Sequence, residues 1–168
     1  MTPTLPAEQA LDETDGIHLR RAIELANVAR SRGNRPFGSV IVGADGAVLA
    51  EAWNRNGETG DCTAHAETEA LRIASPRHSR DELAGATIYA SGEPCVMCAG
   101  AIYWSNIRRV VFGIDAERLR VFRGDRLDQR DAELSCRDVF DASPTGIECI
   151  GPALLEEAAA SHEGGWKT

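Results

Sequence analysis

Apolar positions near the start of the chain keep a helical beat and then give way to short β-rich runs. Within residues 17–31, Leu19, Ala22, Ile23, Ala26 and Ala29 recur at three- and four-residue spacing. Gly33 follows as a stop signal, so this stretch predicts an amphipathic helix. Residues 37–42 and 47–53 flank Gly43-Ala44-Asp45-Gly46 and read as a β-hairpin. Residues 54–60 read as polar loop. Thr63 is placed to cap a helix over residues 64–75, which Pro76 ends. Residues 86–90 predict a third strand, and Pro94 suits the first turn of a helix over residues 95–105. A fourth strand falls at 109–113, a fifth at 147–150 and a last helix at 152–161. Residues 114–143 carry no clear period and read as a short helix in a long surface segment. Alternating helices and strands predict an α/β domain with helices on both faces of a mixed sheet. The domain spans residues 17–161, with 1–16 and 162–168 as loosely held ends unless they dock.

With 168 residues the chain is long enough to bury a core without staples. Its longest apolar runs, such as Val110-Val111-Phe112, are far too short to cross a bilayer. The first fifteen residues hold Pro3, Pro6 and four acidic side chains. They lack the basic start and apolar stretch of an export signal, so a cytoplasmic location is expected. The net charge of −8 argues against nucleic acid as the main partner. Arginines do recur over residues 118–130, but Asp125 and Asp128 interleave with them, which suggests a mixed-charge surface. Five cysteines, two of them in a C-x-x-C, point to metal or redox chemistry in a reducing compartment.

That C-x-x-C is Pro94-Cys95-Val96-Met97-Cys98, and His65-Ala66-Glu67 lies upstream of it. Zinc takes thiolates and imidazoles tetrahedrally, and a catalytic site keeps one position for water. Cys95 and Cys98, three residues apart, share a helix face at the first turn, where the helix end favours thiolate. His65 would be the third ligand, giving one Zn²⁺ per chain with one position open. On a helix His65 shares a face with Glu69, not with Glu67. Geometry alone therefore leaves open a role for Glu69 as a ligand or as the group that orients His65. A closed structural zinc site with Cys62, Cys136 or Cys149 as fourth ligand is the competing reading.

The motifs extend further. Arg35-Pro36-Phe37-Gly38-Ser39-Val40-Ile41-Val42, Trp53-Asn54, Thr63-Ala64-His65-Ala66-Glu67, Gly92-Glu93-Pro94-Cys95-Val96-Met97-Cys98-Ala99-Gly100-Ala101-Ile102-Tyr103-Trp104 and Val110-Val111-Phe112-Gly113 follow one another in order. In this the chain resembles the cytidine-deaminase-like zinc deaminases, in the branch of guanine deaminases and tRNA adenosine deaminases. The resemblance implies a three-layer α/β/α sandwich around a five-stranded mixed sheet, and a homodimer. It implies zinc on His65, Cys95 and Cys98, with Glu67 as the general acid/base rather than a ligand. By position Asn54 would hydrogen-bond the base, Phe37 and Trp104 would wall it, and Trp166 would close the pocket from the tail. The leading expectation is hydrolytic deamination of a small, guanine-like free base. The alternatives are a tRNA adenosine deaminase, a cytosine or nucleoside deaminase, and a non-catalytic zinc-stabilised module. Guanine deaminases carry an extra acid after the fourth strand. Arg118 stands at that point here, with Asp115 and Glu117 as neighbours.

Overall fold

Alternation along the strands sorts the apolar residues onto two faces of one sheet. In β1 (Gly38–Val42), Val40 and Val42 join one core and Ile41 the other. In β3 (Thr87–Gly92), Tyr89 opposes Ile88 and Ala90, and in β4 (Arg109–Ile114), Val111 opposes Val110 and Phe112. Helices cover both faces, which is why these strands read as nearly continuous apolar runs. The computed structural model describes residues 4–124 and 132–166. It places β2 (Val48–Trp53) and β5 (Glu148–Ile150) at the edges of a five-stranded sheet of order β2-β1-β3-β4-β5. The β1 strand is antiparallel to both β2 and β3, whereas β3, β4 and β5 are parallel.

Three helices form each outer layer. On one side α1 (Glu13–Ser31), α6 (Ala116–Arg123) and α8 (Leu155–Ala160) pack Leu19, Ile23, Leu119 and Ala158 against Val40, Tyr89 and Val111. On the other, α3 (Ala66–Ala74), α5 (Val96–Ser105) and α7 (Cys136–Asp141) pack Leu71, Ile102 and Phe140 against Ile41, Ile88 and Phe112. Two short helices, α2 (Asn56–Thr59) and α4 (Arg80–Ala84), lie in connections. This is the α/β/α sandwich with a five-stranded mixed sheet expected from the resemblance. The α1 backbone rides directly on β1. A Cβ at Gly38 would sit 2.1 Å from the Ala22 carbonyl oxygen and 2.6 Å from the Ala26 nitrogen, so only glycine fits.

Several boundaries move, each for a local reason. Helix α1 begins four residues before its apolar stripe, because its first turn is polar and set by a cap. The Asp12 carboxylate accepts from the Asp15 N–H at 2.8 Å. The segment before it is docked rather than loose. The Gln9 N–H donates to the Pro152 carbonyl at 2.7 Å, and the Glu8 carboxylate accepts from the Leu155 N–H at 2.8 Å. Residues 54–60, expected as loop, contain α2. Thr63 is not a cap: its hydroxyl donates to Asp61 at 2.7 Å, and His65 takes the N-cap position of α3. Pro94 stands one residue before the Cys95 cap of α5. The last helix is shorter than its apolar pattern, starting at Leu155. Residues 114–143 supply α6 and α7, but the mixed-charge reading of Asp125 and Asp128 falls outside the described residues. Among the described residues, no helix is long and apolar enough to cross a membrane.

A buried ion pair ties α1 to the sheet. Asp15, 4% exposed, accepts from Arg109 Nη1 and Nη2 at 2.7 and 2.6 Å and from the Tyr89 hydroxyl at 2.8 Å. The Arg109 hydrogen bonds hold its carboxyl below the usual value of 3.8 against the opposing push of burial. A depressed carboxyl contributes stability that is complete above its unfolded pKa and is lost as pH falls through the lower folded value. Asp15→Asn removes the buried charge opposite Arg109, which keeps Glu148 as a partner at 2.9 Å, and is expected to cost about 1 to 3 kcal/mol at neutral pH in urea unfolding. The variant should also lose less stability than the parent between pH 4 and pH 2.

Candidate metal centre and active site

Two helices of the same layer start close together, and their first residues face each other. His65 and Cys95 occupy the N-cap positions of α3 and α5 in extended backbone conformation. Neither side chain caps its helix, so both are free for other work. Cys98 follows at the third helical position of α5. His65 Nδ1 lies 3.5 Å from Cys95 Sγ and 3.5 Å from Cys98 Sγ. All three donor atoms fall within 4.8 Å of one another. Zinc bonded at about 2.3 Å to sulfur and about 2.0 Å to nitrogen in a tetrahedron has a sulfur–nitrogen edge of about 3.5 Å. The donor set therefore fits zinc in spacing as well as in chemistry, with one position of the tetrahedron unused.

The electrostatics follow from the crowding of donors. Cys95 is held down to about 4, first by its hydrogen bond from the Cys98 thiol and then by His65. Cys98 is pushed up by that same bond and by burial, and Cys95 raises His65. The cluster thus shares protons that a bound metal displaces. Glu67, at the second position of α3, is 5% exposed, with Oε2 3.5 Å from Cys98 Sγ. Burial, followed by the nearby Cys95 charge, pushes its carboxyl up to about 7.

The alternatives left open by spacing now separate. Glu69 points away from the cluster and pairs with Arg72 and, at 3.7 Å, with Arg55. Cys62 is exposed, and Cys136 lies 3.8 Å from Cys149, apart from the three donors. Among the described residues no fourth protein ligand joins the cluster, as a closed structural site would require. Asn54 is buried at the end of β2, and its backbone N–H donates to the Phe37 carbonyl at 3.0 Å. Its amide exchanges two hydrogen bonds with Asn56, at 2.8 and 3.1 Å. An asparagine amide has two donors and two lone pairs, so one of each remains for a ligand.

Phe37 meets the tail. Its ring centroid lies 5.1 Å from that of His162 and 6.0 Å from that of Trp166, and its edge fills the space a Cβ on Gly92 would need. Trp166 Nε1 donates to His162 Nδ1 at 3.2 Å, and the two rings stack. His162 escapes sequence reasoning because neither period nor motif marks it. Burial, reinforced by the Arg123 and Arg30 charges, pushes it down to about 4 and keeps it neutral. Trp104 goes elsewhere. It is 74% exposed on α5, six residues after Cys98, which on a helix turns it about 120° away from that ligand. Asp115 caps α6 and pairs with Arg118, and Glu117 is exposed.

Zinc content measures the donor assignment. The purified chain is expected to carry one zinc, and Cys95→Ala and His65→Ala each to lose most of it. Glu67→Gln should keep the metal, as measured by elemental analysis after desalting.

Residues 12–114 match the family model for the cytidine and deoxycytidylate deaminase zinc-binding region. Over 161 residues the chain is 40% identical to a probable cytosine deaminase of Schizosaccharomyces pombe, covering 93% of this chain and 94% of the relative. It is 40% identical over 109 residues to a tRNA-specific adenosine deaminase of Haemophilus influenzae, covering 65% and 63%. A solved guanine deaminase of Nitrosomonas europaea superposes with a TM-score of 0.74 over 95% of this chain and 87% of that one. At 22% identity, that likeness is one of fold. With a three-donor metal cluster inside the matched region, the chain belongs to the cytidine and deoxycytidylate deaminase family of zinc-dependent deaminases.

Proposed function

We propose that this protein removes the ring amino group of a small free nucleobase by hydrolysis, releasing ammonia. The observation that carries this reading is the buried Glu67 carboxylate beside three zinc donors that leave a fourth position open. Zinc bound there supplies a Lewis acid that makes water nucleophilic near neutral pH. His65, Cys95 and Cys98 hold and orient the metal, and the helix ends beneath them favour the thiolates. Glu67 takes a proton from water on its carboxylate, passes it to the ring nitrogen beside the reacting carbon, then takes the proton of the added hydroxyl and delivers it to the departing amine. In balance, the ring N=C–NH₂ unit and one water give HN–C=O and ammonia, as the C–N bond to the amino group breaks and a C–O bond forms. Asn54 offers its remaining N–H and lone pair to the ring edge. Phe37 and Trp166 shield the site from solvent.

A cytosine-type ring takes precedence over guanine as the substrate. The probable cytosine deaminase matches along nearly the whole chain, Arg118 stands where guanine deaminases carry their extra acid, and Asp115 beside it is engaged by Arg118. A net charge of −8 gives little help to a tRNA substrate.

Ammonia release from zinc-loaded protein over cytosine, guanine, adenine, isoguanine and cytidine is the direct test. Turnover of one free base is expected, with cytosine first. Glu67→Gln should lose roughly 10²- to 10⁴-fold while retaining zinc. Turnover only with tRNA, or none with zinc bound, would overturn the reading. Trp166→Ala should raise KM more than it lowers kcat, with zinc content unchanged.

A further inference from the structure

Two cysteines outside the metal cluster form a pair of their own. Cys136 opens α7 and is fully buried, whereas Cys149 lies in the edge strand β5 and is partly exposed. Their sulfurs are 3.8 Å apart across 13 residues of sequence. Arg137 Nη1 approaches Cys149 Sγ at 3.1 Å. That guanidinium is held in place, because Nη2 donates to the Gly151 carbonyl at 2.6 Å and the group lies 5.3 Å over the Phe112 ring. The two thiols are thereby made unequal. Cys149 is held below the ordinary thiol value, first by a hydrogen bond from Cys136 and, against burial, by the Arg137 charge. Cys136 is pushed up by that same bond and by its burial. A half-buried cysteine beside a fixed cation, with a second thiol in contact, is the arrangement of an attacking and a resolving cysteine.

We propose that Cys136 and Cys149 form a peroxide-reactive dithiol, in which Cys149 attacks and Cys136 resolves to a reversible disulfide. The Cys149 thiolate attacks one oxygen of hydrogen peroxide. An S–O bond forms, the O–O bond breaks, and the departing hydroxide takes up the thiol's proton as water. The Cys136 sulfur then attacks the Cys149 sulfenic acid. The S–S bond forms, the S–O bond breaks, and hydroxide leaves with the Cys136 proton as a second water. Two thiols are oxidised and one peroxide is reduced. The sulfurs must close from 3.8 Å to about 2.0 Å. The product would staple α7 to the sheet edge next to Glu93, whose carboxylate accepts from Ser135 Oγ at 2.6 Å and from the Cys136 N–H at 3.2 Å. This inference is independent of the substrate reading.

The test treats reduced, zinc-loaded, full-length protein with equimolar hydrogen peroxide, alkylates the remaining thiols and maps the peptides. The expected product is about 2 Da lighter, contains a Cys136–Cys149 linked peptide and reverts on addition of a thiol reductant. Arg137→Gln should slow its formation roughly tenfold by raising the attacking thiol's pKa, and Cys149→Ser should abolish it. The proposal is overturned if Cys136 and Cys149 both stay alkylated while Cys62 oxidises. A link between Cys95 and Cys98 in place of the proposed pair overturns it too, as does a wild-type rate that Arg137→Gln leaves unchanged. Because the mapping is done on wild-type protein, it decides the question even where Cys149→Ser does not fold.

Discussion

Two helix starts must meet at one point, and most of the molecule serves that requirement. A helix N-terminus leaves backbone N–H groups unsatisfied, and a Ser, Thr, Asp or Asn at the N-cap usually answers them. Elsewhere in this chain Asp12, Ser79, Asp115 and Ser135 do so. His65 and Cys95 do not, and forgoing a cap costs about 1 kcal/mol at each site. What is gained is a pair of donor atoms aimed at one position, with the positive helix ends beneath the sulfurs. The cost is tolerable because α3 and α5 bury Leu71 and Ile102 against the same sheet face, so neither helix depends on its first turn. The parallel β3–α5–β4 crossover then places Cys95 just past the carboxyl end of β3, where α/β sheets commonly hold ligands.

The support around that point is polar and local. Glu93 precedes Cys95 by two residues and joins three segments, accepting from the Ala116 N–H at 2.9 Å as well as from Ser135 and Cys136. Its own N–H donates to the Ile114 carbonyl at 2.8 Å. The ligand loop is therefore fixed by hydrogen bonds to the ends of β4, α6 and α7 rather than by apolar packing alone. A carboxylate satisfied by three donors resists displacement, because breaking one bond leaves a half-buried charge short of partners.

What the sequence revealed, and what it hid, follows from the range of the interactions. The strands at 38–42 and 109–114 were legible because burial on both faces leaves an apolar run that needs no partner to be recognised. His65, Cys95 and Cys98 were legible because metal donors are rare residue types at restricted spacings. Glu67 was separated from Glu69 only by resemblance, since helical spacing favours Glu69. In the structure Arg72 and Arg55 occupy Glu69, while burial surrounds Glu67. The direction of Trp104 was illegible for a related reason. Its apolar character suits a pocket wall and an exposed helix face equally, and only the phase set by Cys98 decides between them. Asp15 with Arg109 joins residues 94 apart, and no local pattern encodes that pairing.

The two ends of the described chain are held by different physics. At the N-terminal end Glu8, Gln9 and Asp12 all use hydrogen bonds to backbone, two of them reaching the turn between β5 and α8 and one the first residue of α8. At the C-terminal end the ring of Trp166 rests on His162 and Phe37, with one side-chain hydrogen bond at 3.2 Å. Aromatic contact excludes water over a wide area but has no fixed register, whereas a backbone hydrogen bond has one. The tail's backbone hydrogen bonds, such as Gly165 N–H to the His162 carbonyl at 3.0 Å, stay within its own last turns, whereas Trp166 meets the rest of the domain through rings and the Arg35 and Arg123 guanidinium groups at 5.9 and 5.2 Å. The neutral state of His162 keeps the Trp166 contact, because protonation would remove the lone pair to which Trp166 donates.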